Sequence, residues 1–262
     1  MLDYLIRCHK SVEDQTGVSK EHIIMDGGSN DGTVDWLRSK ESVYWNSEPD
    51  EGMYDAVNKG WDKARGEIIA YLNCDEQYLE GTLSYVRNYF KQHPEVDFIF
   101  GDALIIDPTG DLISYRKGYT PRWYYILVSH LYVLSCTMFL RREVFERGYR
   151  LNTKFKDVAD TDYVIRLLRN GLKAQYINKY LSAFTWTGDN MSTGENATME
   201  MEMLKKSAPW FLKIFRHPFN LLRLMEKLIS GAFFQQFPLK YRVYRDPSDN
   251  SRTEIVARNA SW

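Results

Sequence analysis

The sequence predicts an α/β fold: a mixed, mainly parallel sheet flanked by helices, with a helical C-terminal extension. Three observations carry this expectation. Strand-like and helix-like patterns alternate through residues 1–100, a polar or glycine-rich turn follows each early strand, and the chain after residue 193 reads as largely helical.

The elements follow in order. Residues 2–15 read as a helix and 21–25 as a short buried strand. A helix opens over 33–39, a strand follows at 43–45, and 53–64 is an amphipathic helix. Residues 67–72 form a further strand, 79–92 a helix and 96–100 another strand. Strands separated by helices indicate βαβ units, and in such sheets a ligand sits at the carboxyl ends of the strands. The turns there read DGGSNDGT at 26–33, NSEPDEG at 46–52 and NCDE at 73–76. Three such turns from successive strands would converge on one sheet edge and form a site.

The middle section, 101–190, is β-like and aromatic. Within it, 123–140 runs for 18 residues without Lys, Arg, Asp or Glu, close to the length of a spanning helix. Ser129, His130, Ser135, Cys136 and Thr137 interrupt it, so it reads as a short buried helix followed by a buried strand. His130 reads there as a core histidine. An acidic cluster at 157–162 (DVADTD) opens a helix over 163–169. After residue 193 the chain is helical and then polar; Pro209 and Pro218 break it and Pro238 ends the helical part. Over 219–229, Leu221, Leu222, Met225, Leu228 and Ile229 share one face, and Asn220, Arg223 and Lys227 share another. With Trp210, Phe211, Lys213, Phe215 and Arg216 just before, two readings stand open: a helix lying on a membrane surface, and a helix packed on the domain.

Composition narrows the function classes. The 262 residues include 34 Lys and Arg against 35 Asp and Glu, a formal charge of −1 that gives no general attraction to nucleic acid. Hydrophobic residues are 44% and charged residues 26%, which is ordinary globular usage, although aromatics reach 15%. The three cysteines, Cys8, Cys74 and Cys136, lie far apart, so a disulfide framework is not expected. With no secretory leader evident, the expected location is cytoplasmic, peripheral at the inner face of the membrane if the tail lies on lipid.

Several acids stand where chemistry could use them. Asp26 ends a strand and precedes glycines that let backbone approach a ligand. Asp75 and Glu76 are adjacent carboxylates at a strand end, suited to a hard divalent cation such as Mg²⁺ or Mn²⁺. Asp160 and Asp162 flank a threonine at a helix start, as general-base candidates or as acids favoured by the helix dipole. No phosphate loop of the GxxxxGK type, no GxGxxG, no GxSxG and no HExxH is present, which removes those nucleotide-binding and hydrolase classes.

Taken together, IIMDGGSNDGT at 23–33, SEPDEGMYDAVNKG at 47–60 and GEIIAYLNCDE at 66–76 resemble family 2 glycosyltransferases of the GT-A fold, a Rossmann-like α/β architecture. FLRREVF at 139–145, ADTDYVIRL at 159–167 and TGDNMS at 187–192 are similar to later segments of the same family. The resemblance is of the bacterial surface-polysaccharide type and divides the chain into a catalytic domain over 1–192 and a helical tail over 193–262. It implies inverting transfer of a sugar from a nucleoside-diphosphate sugar to a glycan or lipid-linked acceptor. Asp160 would be the catalytic base. Asp26, Gly27, Glu48, Asp50, Asp55, Asn58, Lys59 and Asp75 would bind the nucleotide sugar, and Asp75 with Glu76 would hold the metal. The pattern departs at Glu76, where a second aspartate is usual, at Ala159, where an acid is common, and at Ser135-Cys136, where His-Gln is common. The chain also starts inside the family's first helix, so the catalytic domain is expected to lack the first strand. No QxxRW is present, which disfavours a processive synthase. The alternative reading is a degenerate, non-enzymatic member of the same fold that binds a partner.

Overall fold

A computed structural model describes residues 1–188 and 194–261. Of the TGDNMS segment, residues 189–192 lie outside the described residues, as does the boundary expected at 192/193.

The first half follows the sequence closely: α1 (Leu2–Glu13), β1 (Ile23–Asp26), α2 (Thr33–Arg38), β2 (Tyr44–Ser47), α3 (Met53–Lys63) and β3 (Ile68–Ala70). The start of α3 shows the local logic. Gly52 adopts φ +115°, a value that suits glycine, and its N–H donates to Asp50 Oδ1 at 2.8 Å. Asp55 in the first turn and Lys63 in the last oppose the helix dipole, and Tyr54, Asn58 and Trp61 form its buried face.

Next come β4 (Glu76–Tyr78), α4 (Thr82–Gln92), β5 (Phe98–Ile106), β6 (Leu112–Arg116), α5 (Trp123–Val128), a 3₁₀ turn at Ser135–Thr137, β7 (Phe139–Arg141), α6 (Arg142–Glu146), α7 (Ala159–Arg169) and β8 (Ala174–Thr185). Strand order in the main sheet is β3-β7-β5-β8-β4, with β6 also on β5. The sheet is mixed, as expected, but its parallel share is smaller than the sequence suggested. Among the described pairs β1/β2 and β5/β8 are parallel, and the others are antiparallel. The reason is connection length: β4 follows β3, and β6 follows β5, after turns too short for a crossover. Every residue of β5 is buried, and Asp102 within it accepts hydrogen bonds from Gly118 N–H and the Tyr176 hydroxyl.

The uncharged stretch gives the short buried helix α5 and the buried strand β7, and among the described residues no helix is long and apolar enough to cross a membrane. The β1/β2 ladder stands apart from the main sheet, with no described strand joining β1 to β3. β1 lines a cavity of about 2420 Å³, which runs on past β4 and α7.

The C-terminal part differs from a purely helical tail. After α8 (Glu195–Lys206), α9 (Trp210–Ile214) and α10 (Arg216–Ile229), β9 (Leu239–Val243) and β10 (Thr253–Ala257) pair as an antiparallel hairpin. Tyr241 and Val243 pack with Leu104, Ile106 and Ala183 of the main sheet. Arg252 locks the hairpin to α1: its guanidinium binds both Asp14 carboxylate oxygens and the carbonyls of Ser11 and Tyr78.

α10 packs on α5, through a bidentate Arg122–Glu226 pair and Phe219 against Tyr124. Arg223, on the face expected to be polar, is 6% exposed, whereas Leu221, Leu222, Met225, Leu228 and Ile229 are 50–83% exposed. The helix is therefore packed on the domain and presents its apolar face outward.

Candidate active site

Asp26, at the carboxyl end of β1, turns its Oδ2 back to accept from Gly28 N–H, Ser29 N–H and the Ser47 hydroxyl at 2.6–3.1 Å. Burial acts to raise its pKa, but these bonds outweigh it and hold the carboxyl below its ordinary value. The turn after β2 comes to meet it. A Cβ on Gly27 would stand 3.0 Å from Asp50 Oδ2, so a side chain there would crowd Asp50. Asp26, Gly27 and Asp50 all line the large cavity.

The other residues of the middle motif take different places. Lys59 reaches Asp55 at 3.0 Å and Glu48 at 3.7 Å, and none of the three lines the cavity. Asn58 is buried and uses both ends of its amide on Leu151, donating to its carbonyl and accepting from its N–H. That pair joins α3 to the chain that leads into α7.

Asp75 sits in the turn between β3 and β4 and lines the cavity; burial raises its pKa. Glu76 is 1% exposed, and its carboxylate accepts from the Asn73 N–H at 2.7 Å. Its pKa is well above the ordinary range, first through burial and then through Asp75. Asp160, in the first turn of α7, is raised to about 6, chiefly by burial, with the hydrogen bond from Thr161 N–H opposing the rise. A carboxylate poised there can accept a proton near neutral pH.

The three acids test whether a divalent cation fits. Asp75, Glu76 and Asp160 are all raised by burial, and Glu76 further by the other two. A cation would offset that charge. Among the described residues no group of three or more His, Cys, Asp or Glu could hold a metal alone. An ion at Asp75 would need further oxygens, such as those of a bound diphosphate, to complete its shell.

One residue outside every motif holds the chain that leads to Asp160. Glu200 of α8, 4% exposed, accepts from the N–H groups of Lys156, Asp157 and Val158 at 2.7–3.1 Å. The Tyr54 hydroxyl donates to the Asp157 carbonyl. The chain just before Asp160 is thus held between α3 and α8. No local pattern marks Glu200, because its partners lie 42–44 residues away. His130 is corrected: it stands in the cavity wall, partly enclosed, rather than in the core, with Nδ1 2.8 Å from the Ser129 hydroxyl. The apolar residues around it hid this.

An α/β sheet with its strand-end acids on one cavity, which the start of α7 also lines, is the arrangement of the GT-A glycosyltransferase fold. The chain belongs to glycosyl transferase family 2, whose model matches residues 2–149. It is 26% identical over 243 residues to a PGL/p-HBAD biosynthesis glycosyltransferase of Mycobacterium bovis, covering 90% of this chain and 91% of that one. An uncharacterized glycosyltransferase of Mycobacterium tuberculosis is 42% identical over 80 residues, 29% of this chain and 30% of that one. Among solved structures, S. aureus TarS 1-349 in complex with UDP-GlcNAc superimposes with a TM-score of 0.54 at 11% identity, covering 98% of this chain and 96% of that one. That likeness shows the fold.

Proposed function

We propose that the protein transfers a sugar with inversion from a nucleoside-diphosphate sugar to a hydroxyl of a glycan or lipid-linked acceptor. The observation that carries this reading is the convergence of Asp26, Asp50, Asp75 and Asp160 on one cavity. Solved relatives of the fold that hold UDP and UDP-GlcNAc support a nucleotide-sugar donor.

Asp26, with Oδ2 committed to its own turn, offers Oδ1 to the nucleotide base, and Asp50 and Gly27 shape the adjoining floor. Asp75 would hold Mg²⁺ or Mn²⁺ against the diphosphate, and the bound ion would neutralise charge on the departing nucleoside diphosphate. Glu76 keeps the turn in shape through Asn73. Asp160 takes the proton of the acceptor hydroxyl, whose oxygen attacks the anomeric carbon as the bond to the diphosphate oxygen breaks. Glu48, Asp55 and Lys59 brace the donor side by their ion pairs, and Asn58 by its hold on Leu151. The outward apolar face of α10, with Lys213 and Arg216 beside it, is a surface for an anionic bilayer, where a lipid-linked acceptor would reside.

Calorimetric titration with UDP tests the donor side. Wild type should bind UDP with Mn²⁺ and weakly without it, and Asp75→Asn should remove the dependence on Mn²⁺. Wild type that ignores UDP and Mn²⁺ together would favour the degenerate reading, and an unchanged Asp75→Asn titration would end the metal role.

A further inference from the structure

Three separate segments bring cations together on the wall of the same cavity. Arg116 ends β6, Lys205 lies in the last turn of α8, and Arg223 and Lys227 lie one turn apart on α10. They surround His130, which follows α5. Arg116, Lys205, Lys227 and His130 all line the cavity that holds Asp160.

Arg223 is fixed from behind, with Nη1 3.1 Å from the buried Tyr119 hydroxyl and Nε 2.9 Å from Asn220 Oδ1. Lys227 lies over the Phe233 ring, 4.5 Å from its centroid. Among the described residues none of the four cations has a carboxylate within ion-pair distance. Of the acids nearby, Glu226 is taken by Arg122 at 2.9 Å, and Glu202 lines the cavity one turn before Lys205. Lys117 adds a further positive group, held to the Phe234 carbonyl.

Burial first, and then neighbouring positive charge, hold Lys205, Lys227 and His130 below their ordinary ranges. Lys227 is lowered by burial and by Arg223 and Arg116, and Lys205 by burial and Arg216. His130 falls to about 4, through burial and then Arg223, Lys227, Arg116 and Lys205. Like charges gathered in a half-enclosed space repel, and an anion placed among them reverses the sign of each interaction. Two guanidinium and two ammonium groups give more donors than one carboxylate can use and match the oxygens of a phosphate. Leu131 and Phe233 line the cavity beside them and would receive an apolar stem.

We infer that Arg116, Lys205, Arg223 and Lys227, around His130, form a binding site for a phosphate-class anion carried by the acceptor. The word acceptor rests on the proposed transfer; the anion site itself rests on this cluster. The phosphate could be lipid-borne or part of a soluble molecule, and two probes separate these sources.

The test follows the His130 ring by NMR in the full chain with EDTA present, so that metal-dependent donor binding stays silent. Saturating decyl phosphate should raise the His130 titration midpoint by at least about one pH unit, equal to at least tenfold tighter binding to the protonated form. The Lys205→Gln/Lys227→Gln double variant should lose that shift, and the singly exposed Arg116→Gln, which leaves both helices untouched, should reduce it. Equal midpoints with inorganic phosphate mean that the phosphate group alone is recognised. A response at tenfold lower concentration of decyl phosphate means a lipid-borne one. No shift with either probe, or the same shift in the variants, would overturn the site. UDP titration of wild type with Mn²⁺ judges the donor reading separately, because it needs none of these cations.

Discussion

Asp160 controls two measurable quantities with opposite preferences for pH. Its carboxyl is raised to about 6, chiefly by burial, so the proposed base would work above that pH and be silenced below it. Transfer should therefore fall about tenfold per pH unit below roughly pH 6 and level off above it. Asp160→Asn should abolish transfer at every pH while UDP still binds. The same shift acts on folding. The ordinary value is 3.8, so the folded state carries a penalty once Asp160 ionises, complete above about pH 6 and absent below about pH 4. Removing the charge should stabilise the protein by at most about 3 kcal/mol above pH 6 and by almost nothing at pH 4. Thermal melts across that range read the difference, and a gap that does not change with pH would remove the assignment. Asp26, Asp75 and Asp160 were visible in the sequence because each sits at a strand end or helix start, where local pattern points. Tyr54 and Arg223 gave no such signal, since their partners lie about a hundred residues away.

Above the residue, the device that presents the base is a short run of chain tied to two helices. Glu200 of α8 collects three consecutive N–H groups, and α3 contributes Tyr54 to Asp157 and Asn58 to Leu151. Burial would raise the Glu200 carboxyl, but those N–H bonds outweigh it and hold it below its usual range, which marks a charge already committed to structure. Glu200→Gln keeps the size and turns one acceptor into a donor that faces three N–H groups. Turnover should fall roughly tenfold, equivalent to about 1.4 kcal/mol, while UDP affinity stays within twofold. The acidic limb of the pH profile should also move, because the chain before Asp160 is displaced. A loss of stability without that change in the limb would make Glu200 a structural residue alone. Helices α1 to α4 were legible because their apolar spacing repeats over three turns or closes on clear end signals. β4 was not: Glu-Gln-Tyr looks like a surface turn, yet all three residues are buried by pairing with β8. The β9–β10 hairpin was read as polar tail because its strands alternate, and only contacts with the main sheet give their inner faces a core.

Across the whole molecule, a formal charge of −1 conceals a separation. Acids gather where the sugar donor would lie, cations gather elsewhere on the cavity wall, and α10, which carries two of them, turns its apolar face to solvent. Arg223 and Glu226 bind inward, and Leu221, Leu222, Met225, Leu228 and Ile229 point out, joined by Trp210, Ile214, Phe215 and Phe234. This reverses the usual orientation of an amphipathic helix on a soluble domain, and sequence periodicity alone could not show which face would pack. Inserting the outward side chains into a bilayer interface would favour association by on the order of 5 kcal/mol, allowing for partial burial. Lys213 and Arg216 would add attraction to anionic lipid that salt weakens, because the charges are exposed and screened over about 10 Å at 0.1 M. The protein should co-sediment with vesicles of mixed phosphatidylcholine and phosphatidylglycerol at low salt, and less with phosphatidylcholine alone. Leu221→Glu/Leu228→Glu should abolish sedimentation without lowering UDP affinity, since neither residue lines the cavity. Tryptophan emission should shift to the blue on binding if Trp210 enters the interface. A protein that stays in the supernatant with anionic vesicles, or instead forms a concentration-dependent dimer through this face, would show that α10 is covered by protein and not by lipid.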